Sequence, residues 1–329
     1  MRSFKAFLIE EIEGKTKSGL VSVDESVLDP GEVTIRVAYS SVNYKDALAA
    51  TGTGRIIRRF PCIGGIDLSG IVEASSDPRF KAGDQVIATS FDIGVAHHGG
   101  YAEISRVPAD WVVPLPDGLS LFEAMALGTA GFTAALAIVR MEENGLAPGK
   151  GPVIVTGATG GVGGLAIDML AKLGYSVTAL TGKEAQADYL RQLGASEVIL
   201  RSSLDLSKIR PLAKAVWAGA VDNLGGDVLA WIASSMKPQG TIASIGLAAS
   251  TTLNTTVMPF VLRGVSLLGI DSGYIGEPYR QRIWQRLATD MRPRNLLEMT
   301  RTIGLNELPG AFDRFLKGAA HGRVVVAVS

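Results

Sequence analysis

One cysteine, Cys62, occurs in 329 residues, which excludes an intrachain disulfide and any zinc lobe built from several thiolates. A reducing cytoplasm is the expected home. Histidine is nearly as scarce, at positions 97, 98 and 321 only. Neither sign of charge is in surplus: Lys plus Arg and Asp plus Glu both number 32, and without a basic excess neither nucleic acid nor an anionic membrane is an expected partner. The start carries Glu10, Glu11 and Glu13 where a secretory signal would need an apolar core, so export is not expected and the mature chain is expected to begin here.

Long membrane-spanning runs are also missing. Two stretches carry no charge, Ala124 to Val139 and Pro238 to Leu262. The first is short of the roughly 20 residues a span needs, and the second is loaded with Gln239, Asn254, Pro259, serines and threonines. Both are read as buried protein core.

What is present is a sizeable apolar fraction, 47%, with 39 glycines, enough for two domains. Residues 1–125 read as short β segments between turn residues, such as Glu32-Val-Thr-Ile-Arg-Val-Ala38 and Gln85-Val-Ile-Ala-Thr89, which fits an antiparallel, barrel-like domain. From 126 to about 270 strands and helices alternate, as in a parallel sheet with crossover helices, giving an α/β class overall. Six strands are expected there: Pro152 to Thr156, Tyr175 to Leu180, Glu197 to Leu200, Ala220 to Asn223, Thr241 to Gly246 and Val265 to Ile270. Residues 271–329 are read as a return segment whose closing strand, Arg323 to Val328, rejoins the first domain. Net charge is −5 over residues 1–124, +2 over 125–265 and +3 over 266–329, so the modest positive charge falls where phosphates would bind.

The most informative stretch is Val153-Ile-Val-Thr-Gly-Ala-Thr-Gly-Gly-Val-Gly-Gly-Leu165. An apolar strand runs into glycines at 157, 160 and 163, and a helical pattern follows. Glycine permits the tight turn and a close approach of backbone to a pyrophosphate, whose charge meets the free N–H groups of the helix N-terminus. A glycine triplet alone is also what a flexible turn looks like. The flanking strand and helix and the second strand favour a dinucleotide site. At the end of that second strand, where NAD-selective sites carry a carboxylate for the ribose 2′-hydroxyl, stands Thr181-Gly182-Lys183. A hydroxyl and an ammonium suit a 2′-phosphate, and Arg201 after the third strand adds a second cation. NADPH is therefore expected over NADH, with Lys183 as a solvated helix opener the plainer alternative.

The chain resembles the medium-chain dehydrogenase/reductase superfamily over its full length, with a GroES-like β-rich catalytic domain and a Rossmann doubly wound parallel sheet. Asn43-Tyr44-Lys45-Asp46-Ala47, Phe60-Pro61 before Gly65-Ile66-Asp67, Gly128-Thr129-Ala130-Gly131-Phe132-Thr133-Ala134 and Thr256-Val-Met-Pro-Phe-Val-Leu262 are similar to the zinc-free acryloyl-CoA reductase branch, whose members often carry quinone oxidoreductase names. Zinc alcohol dehydrogenases of the superfamily have a cysteine where this chain has Asn43 and Gly-His-Glu where it has Gly65-Ile66-Asp67, so no metal is expected. His97-His98, beside Gly99-Gly100, is read as a surface or cleft loop.

The resemblance implies cofactor contacts from Tyr44, the Thr159-Gly160-Gly161-Val162 turn, Thr181, Gly182, Lys183, Arg201, Leu247, Val261, Ser272 and Arg323. For Leu247 and Val261 core packing is an equal reading. It further implies NADPH-dependent reduction of the carbon–carbon double bond of acryloyl-CoA or a similar short enoyl-CoA, with hydride entering the β-carbon. A quinone or enone reductase, and a non-catalytic NADPH-binding protein, are the competing functions. Tyr44 is the candidate proton donor, although its phenol is also wanted by the cofactor; Asp67 is read equally as a turn brace, and water is a third source. Arg55, Arg58 and Arg59 would suit the phosphates of coenzyme A, but a solvated loop is favoured slightly over that. The apolar sixth strand, at the sheet edge, is expected to pair with its copy in a homodimer, unless the return segment caps it.

Overall fold

The computed structural model describes residues 2–328. The chain divides into two compact units: one comprises the residues up to Thr129, Gly273–Arg282 and those from Leu296 onward, and the other Ala130–Ser272 with Ile283–Asn295.

The first unit is β-rich. Its seven-stranded sheet runs Thr300–Gly304, Arg323–Ala327, Val33–Ser41, Asp67–Ser75, Gln85–Thr89 and Val112–Pro114, with Ile104–Val107 also pairing to Val33–Ser41. A three-stranded sheet joins Lys15–Asp24, Ser3–Ile12 and Cys62–Ile63. Alternation builds the core: Val33, Ile35 and Val37 all point inward and are fully buried, each such side chain contributing about 1.5–3 kcal/mol. The closing strand Arg323–Ala327 pairs antiparallel with Val33–Ser41, Val326 opposite Ser40, and so carries Arg323 into this unit.

The second unit is a six-stranded parallel sheet in the order Glu197–Leu200, Val177–Thr181, Val153–Thr156, Trp217–Asp222, Met236–Ser244, Ser266–Gly269. Numbered along the chain this is 3-2-1-4-5-6, the doubly wound dinucleotide-binding order. The fifth strand starts at Met236, five residues before the expected Thr241. Pro238 and Gly240 read as a loop, but a register shift between Trp217 and Gly219 and a positive φ at Gln239 (61°) absorb them as an irregular strand. Ser266–Gly269 forms the sheet edge, with Leu267 exposed.

The first uncharged run lies in the helix Leu121–Glu143, long and apolar enough to cross a membrane; 83% of its most apolar window is buried inside the protein. The helix is interrupted at Gly128 (φ 52°, ψ −158°). The segment after Asp271 is shared between the units. In the second unit, Asp168 accepts from the Arg294 and Asn295 amides at 2.7 and 2.9 Å, Arg286 pairs with Glu142 at 2.6 Å, and fully buried Trp284 packs on Phe132 with ring centroids 5.8 Å apart.

Candidate functional site

The glycine turn joins the strand Val153–Thr156 to the helix Gly161–Lys172. A Cβ on Gly163 would lie 2.4 Å from the Gly157 carbonyl oxygen, so only glycine lets helix and strand approach this closely. The amides of the first helical turn lack intrahelical acceptors and carry the positive end of the helix dipole. Thr159 is buried, Gly160 exposed, and Gly161 and Val162 half-buried. The turn is braced by residues with no motif to announce them. Asp222 accepts from Thr156 Oγ1 and the Gly225 amide, each at 2.8 Å, and Asn223 Nδ2 donates to the Thr156 carbonyl at 2.7 Å. Burial raises the Asp222 carboxyl above its ordinary value.

Thr181 ends the second strand and its hydroxyl accepts from the Lys183 amide at 3.0 Å. Thr181 and Leu200 are register partners on neighbouring parallel strands, so Lys183 and exposed Arg201 follow the same ends of adjacent strands. Partial burial lowers the Lys183 ammonium below the ordinary lysine value. Leu247 is 65% and Val261 74% exposed, which removes core packing as their explanation. Ser272 Oγ accepts from Thr133 at 2.7 Å. The turn at 159–162, Thr181 to Lys183, Arg201, Leu247 and Ser272 thus follow the carboxyl ends of the first, second, third, fifth and sixth strands, where open parallel sheets hold ligands.

In the first unit a buried polar cluster surrounds Asp67, which is 0% exposed. Its Oδ2 accepts from Ser41 Oγ at 2.6 Å, Asn43 Nδ2 at 2.8 Å and the Thr129 amide at 2.9 Å, while Oδ1 accepts from Thr129 Oγ1 at 2.5 Å. Arg323 is 2% exposed; it donates to Ser41 Oγ at 3.0 Å and to the Ala126 carbonyl at 2.8 Å. Asp46 accepts from the amides of Asn43 (2.8 Å) and Ile66 (3.0 Å), and burial together with the Asp67 charge pushes it up to about 7. Burial lowers the Arg323 guanidinium below its ordinary value and raises the Tyr101 phenol well above its own. Tyr44 opens the helix Tyr44–Thr51 with 53% of its surface exposed.

One sequence reading needs correction. His97 and His98 lie in a loop, as expected, but a buried one: His98 Nδ1 accepts from the Ile63 amide at 2.9 Å and His97 Nε2 bonds the Arg106 carbonyl at 2.7 Å. Glycine neighbours suggested a surface loop, but Gly99 and Gly100 are small because backbone passes against them; a Cβ on either would lie 2.3 Å from a carbonyl oxygen. The arginine cluster keeps the solvated loop that the sequence favoured, with Arg55, Arg58 and Arg59 all exposed. Arg58 bonds Asp92 and the Tyr274 hydroxyl, and Arg59 bonds Asp29 at 2.5 Å.

A β-rich unit and a dinucleotide-type sheet with this glycine turn define a two-domain nucleotide-dependent oxidoreductase. The chain belongs to the medium-chain dehydrogenase/reductase superfamily: residues 29–117 match the alcohol dehydrogenase GroES-like domain and residues 161–289 the zinc-binding dehydrogenase domain. It is similar to the acrylyl-CoA reductase AcuI of Ruegeria pomeroyi, 48% identical over 330 residues and 99% of each chain. It is also similar to YhfP of Bacillus subtilis, a protein assigned by name alone to the quinone oxidoreductases, at 49% over 98% of each chain; the crystal structure of YhfP with NAD bound covers 100% of each chain at TM-score 0.97. The yhdH oxidoreductase of Salmonella enterica in complex with NADP matches at 45% identity and TM-score 0.96, over 99% of this chain and 100% of that one.

The zinc that the second domain's name implies does not fit this chain. Asn43 spends its amide on Asp67, position 66 is an apolar isoleucine, and among the described residues no group of three or more His, Cys, Asp and Glu is placed to hold a metal ion.

Proposed function

We propose that this protein reduces the carbon–carbon double bond of acryloyl-CoA, or a similar short enoyl-CoA, with NADPH. The observation that supports this most is full-length similarity to an acrylyl-CoA reductase, joined to a dinucleotide turn followed by Lys183 and Arg201 rather than a ribose-binding carboxylate. When bound, NADPH supplies hydride to the β-carbon of the conjugated thioester. The chain's own part is to hold the pyrophosphate on the 159–162 turn, meet the 2′-phosphate with Thr181, Lys183 and Arg201, and bind the remainder through Tyr44, Gly182, Leu247, Val261 and Ser272; Arg323, expected to join them, is instead buried among protein partners. Conjugate reduction asks only that charge on the thioester oxygen be stabilised and the α-carbon protonated.

The name given to the Bacillus relative favours a second reading, reduction of a quinone or enone. NADPH oxidation measured with acryloyl-CoA, crotonyl-CoA and a benzoquinone separates the two. Acryloyl-CoA is expected to give the highest kcat/KM; a quinone turned over faster than either thioester would contradict the proposal. The exposed apolar strand Ser266–Gly269 supports assembly of two copies through that edge, and the one cysteine, buried and unpaired, supports a cytoplasmic setting.

A further inference from the structure

Asp222 closes the fourth strand of the parallel sheet and is 0% exposed. Its carboxylate folds the chain that follows into a tight turn: Oδ2 accepts from the Gly225 amide at 2.8 Å and Oδ1 from the Leu224 amide at 3.4 Å. Gly225 and Gly226 take positive φ, 69° and 62°, a backbone that glycine adopts without strain. The turn is tied on two sides. On one, Thr156 Oγ1 donates to Asp222 Oδ1 at 2.8 Å and accepts from the Asn223 amide at 2.9 Å, and Thr156 leads directly into the glycine turn. On the other, the Asp222 carbonyl accepts from the amides of Ile245 and Gly246 at 2.9 and 3.2 Å, the Asn223 carbonyl from Ala248 at 3.4 Å, and the Leu224 carbonyl from Ala249 and Ser250 at 2.9 and 3.3 Å. These bonds fix the loop that carries Leu247.

Packing does not explain a carboxylate here. Three donors converge on it and, among the described residues, no cation pairs with it. A buried anion is costly, and an apolar side chain would fill the same space at less cost. What the carboxylate adds is acceptors on both sides of one turn. Thr156 belongs to the pyrophosphate side, while the Leu224 and Gly225 amides set the direction of the carbonyls that hold the Leu247 loop. Space is tight as well: a Cβ on Gly246 would lie 2.4 Å from the Asn223 carbonyl oxygen, and one on Gly225 2.4 Å from the Ser250 carbonyl oxygen. The loop therefore cannot slide unless the turn moves with it.

We propose that Asp222 is a positioning residue that sets the spacing between the pyrophosphate turn, 159–162, and the Leu247 loop, so that NADPH is gripped at two points at once. This rests on the NADPH site read above and not on the choice of enoyl substrate. Two rigidly spaced half-sites bind a cofactor that spans them better than either half binds alone, and the advantage is lost when the spacing loosens. Asp222 acts only through Thr156, Leu224 and Gly225.

Asp222→Asn in the full-length protein tests this, with NADPH and adenosine 2′-phosphate as paired probes in calorimetry. The amide turns one acceptor into a donor, which must face either the Gly225 N–H or the Thr156 hydroxyl. NADPH affinity is expected to fall about 10-fold. Adenosine 2′-phosphate, which reaches only the Thr181, Lys183 and Arg201 ends of the second and third strands, should bind as it does to wild type. Thr156→Val removes the same link at nearly the same size and should show the same split, and Thr156→Ser should restore NADPH affinity; this pair reads the same quantities should Asp222→Asn not fold. A lower unfolding midpoint with NADPH affinity unchanged, or equal losses for the two probes, overturns the proposal alone. Wild-type protein that binds NADPH no more tightly than adenosine 2′-phosphate overturns the cofactor site read above, and the proposal with it.

Discussion

Lys183→Glu is expected to weaken NADPH binding about 10-fold to 150-fold while changing NADH far less, so that cofactor preference falls or reverses. The lost contact is charge-assisted, worth roughly 1.5–3 kcal/mol. Lys183 has the geometry for it: it follows the second strand, its amide is tied to Thr181 Oγ1 at 3.0 Å, and Arg201 follows the neighbouring strand in register. The substitution sets a carboxylate where the 2′-phosphate is proposed to bind and leaves the 159–162 turn intact. Fluorescence titration with both cofactors checks it; equal losses for NADPH and NADH would remove Lys183 from the 2′-phosphate site.

Gly128→Ala is expected to destabilise the fold by about 3–5 kcal/mol, the scale of breaking a buried charge network, and to remove activity. The cause is space and conformation together. At φ 52° and ψ −158° the backbone is in a region nearly reserved for glycine. An added Cβ would lie 2.6 Å from Asp67 Oδ2, 2.7 Å from Arg323 Nη2 and 2.8 Å from Ser41 Oγ, against the atoms that hold the cluster together. Chemical denaturation of the variant checks this, and an unfolding midpoint equal to wild type would mean that the cluster relaxes freely.

The two sites differ in how far the sequence revealed them. The glycine turn was legible because all its signals are local: an apolar strand, glycines at 157, 160 and 163, a helical pattern and a second strand lie within some thirty residues. The parallel sheet, though not the order of its strands, followed from the alternation of strands and helices. The Asp67 cluster was not legible, because Ser41, Asn43, Asp46, Asp67, Tyr101, Thr129 and Arg323 meet only in the tertiary fold. Asp67 was open to reading as a turn brace, and the Arg323 cation is enclosed in protein rather than presented at a surface. Gly99 and Gly100 misled for a related reason. Glycine was taken as surface-loop chemistry; the segment is a loop, but its glycines mark the close passage of backbone that buries His97 and His98.

The most direct test of the central claim follows the hydride itself. Acryloyl-CoA is incubated with NADPH deuterated at nicotinamide C4 on the transferred face, and the thioester is analysed by mass spectrometry and NMR. The account predicts propanoyl-CoA carrying one deuterium at the β-carbon for each NADPH consumed, with the α-carbon hydrogen drawn from solvent. NADPH oxidised with no deuterium in the thioester, or deuterium at the α-carbon, would contradict it.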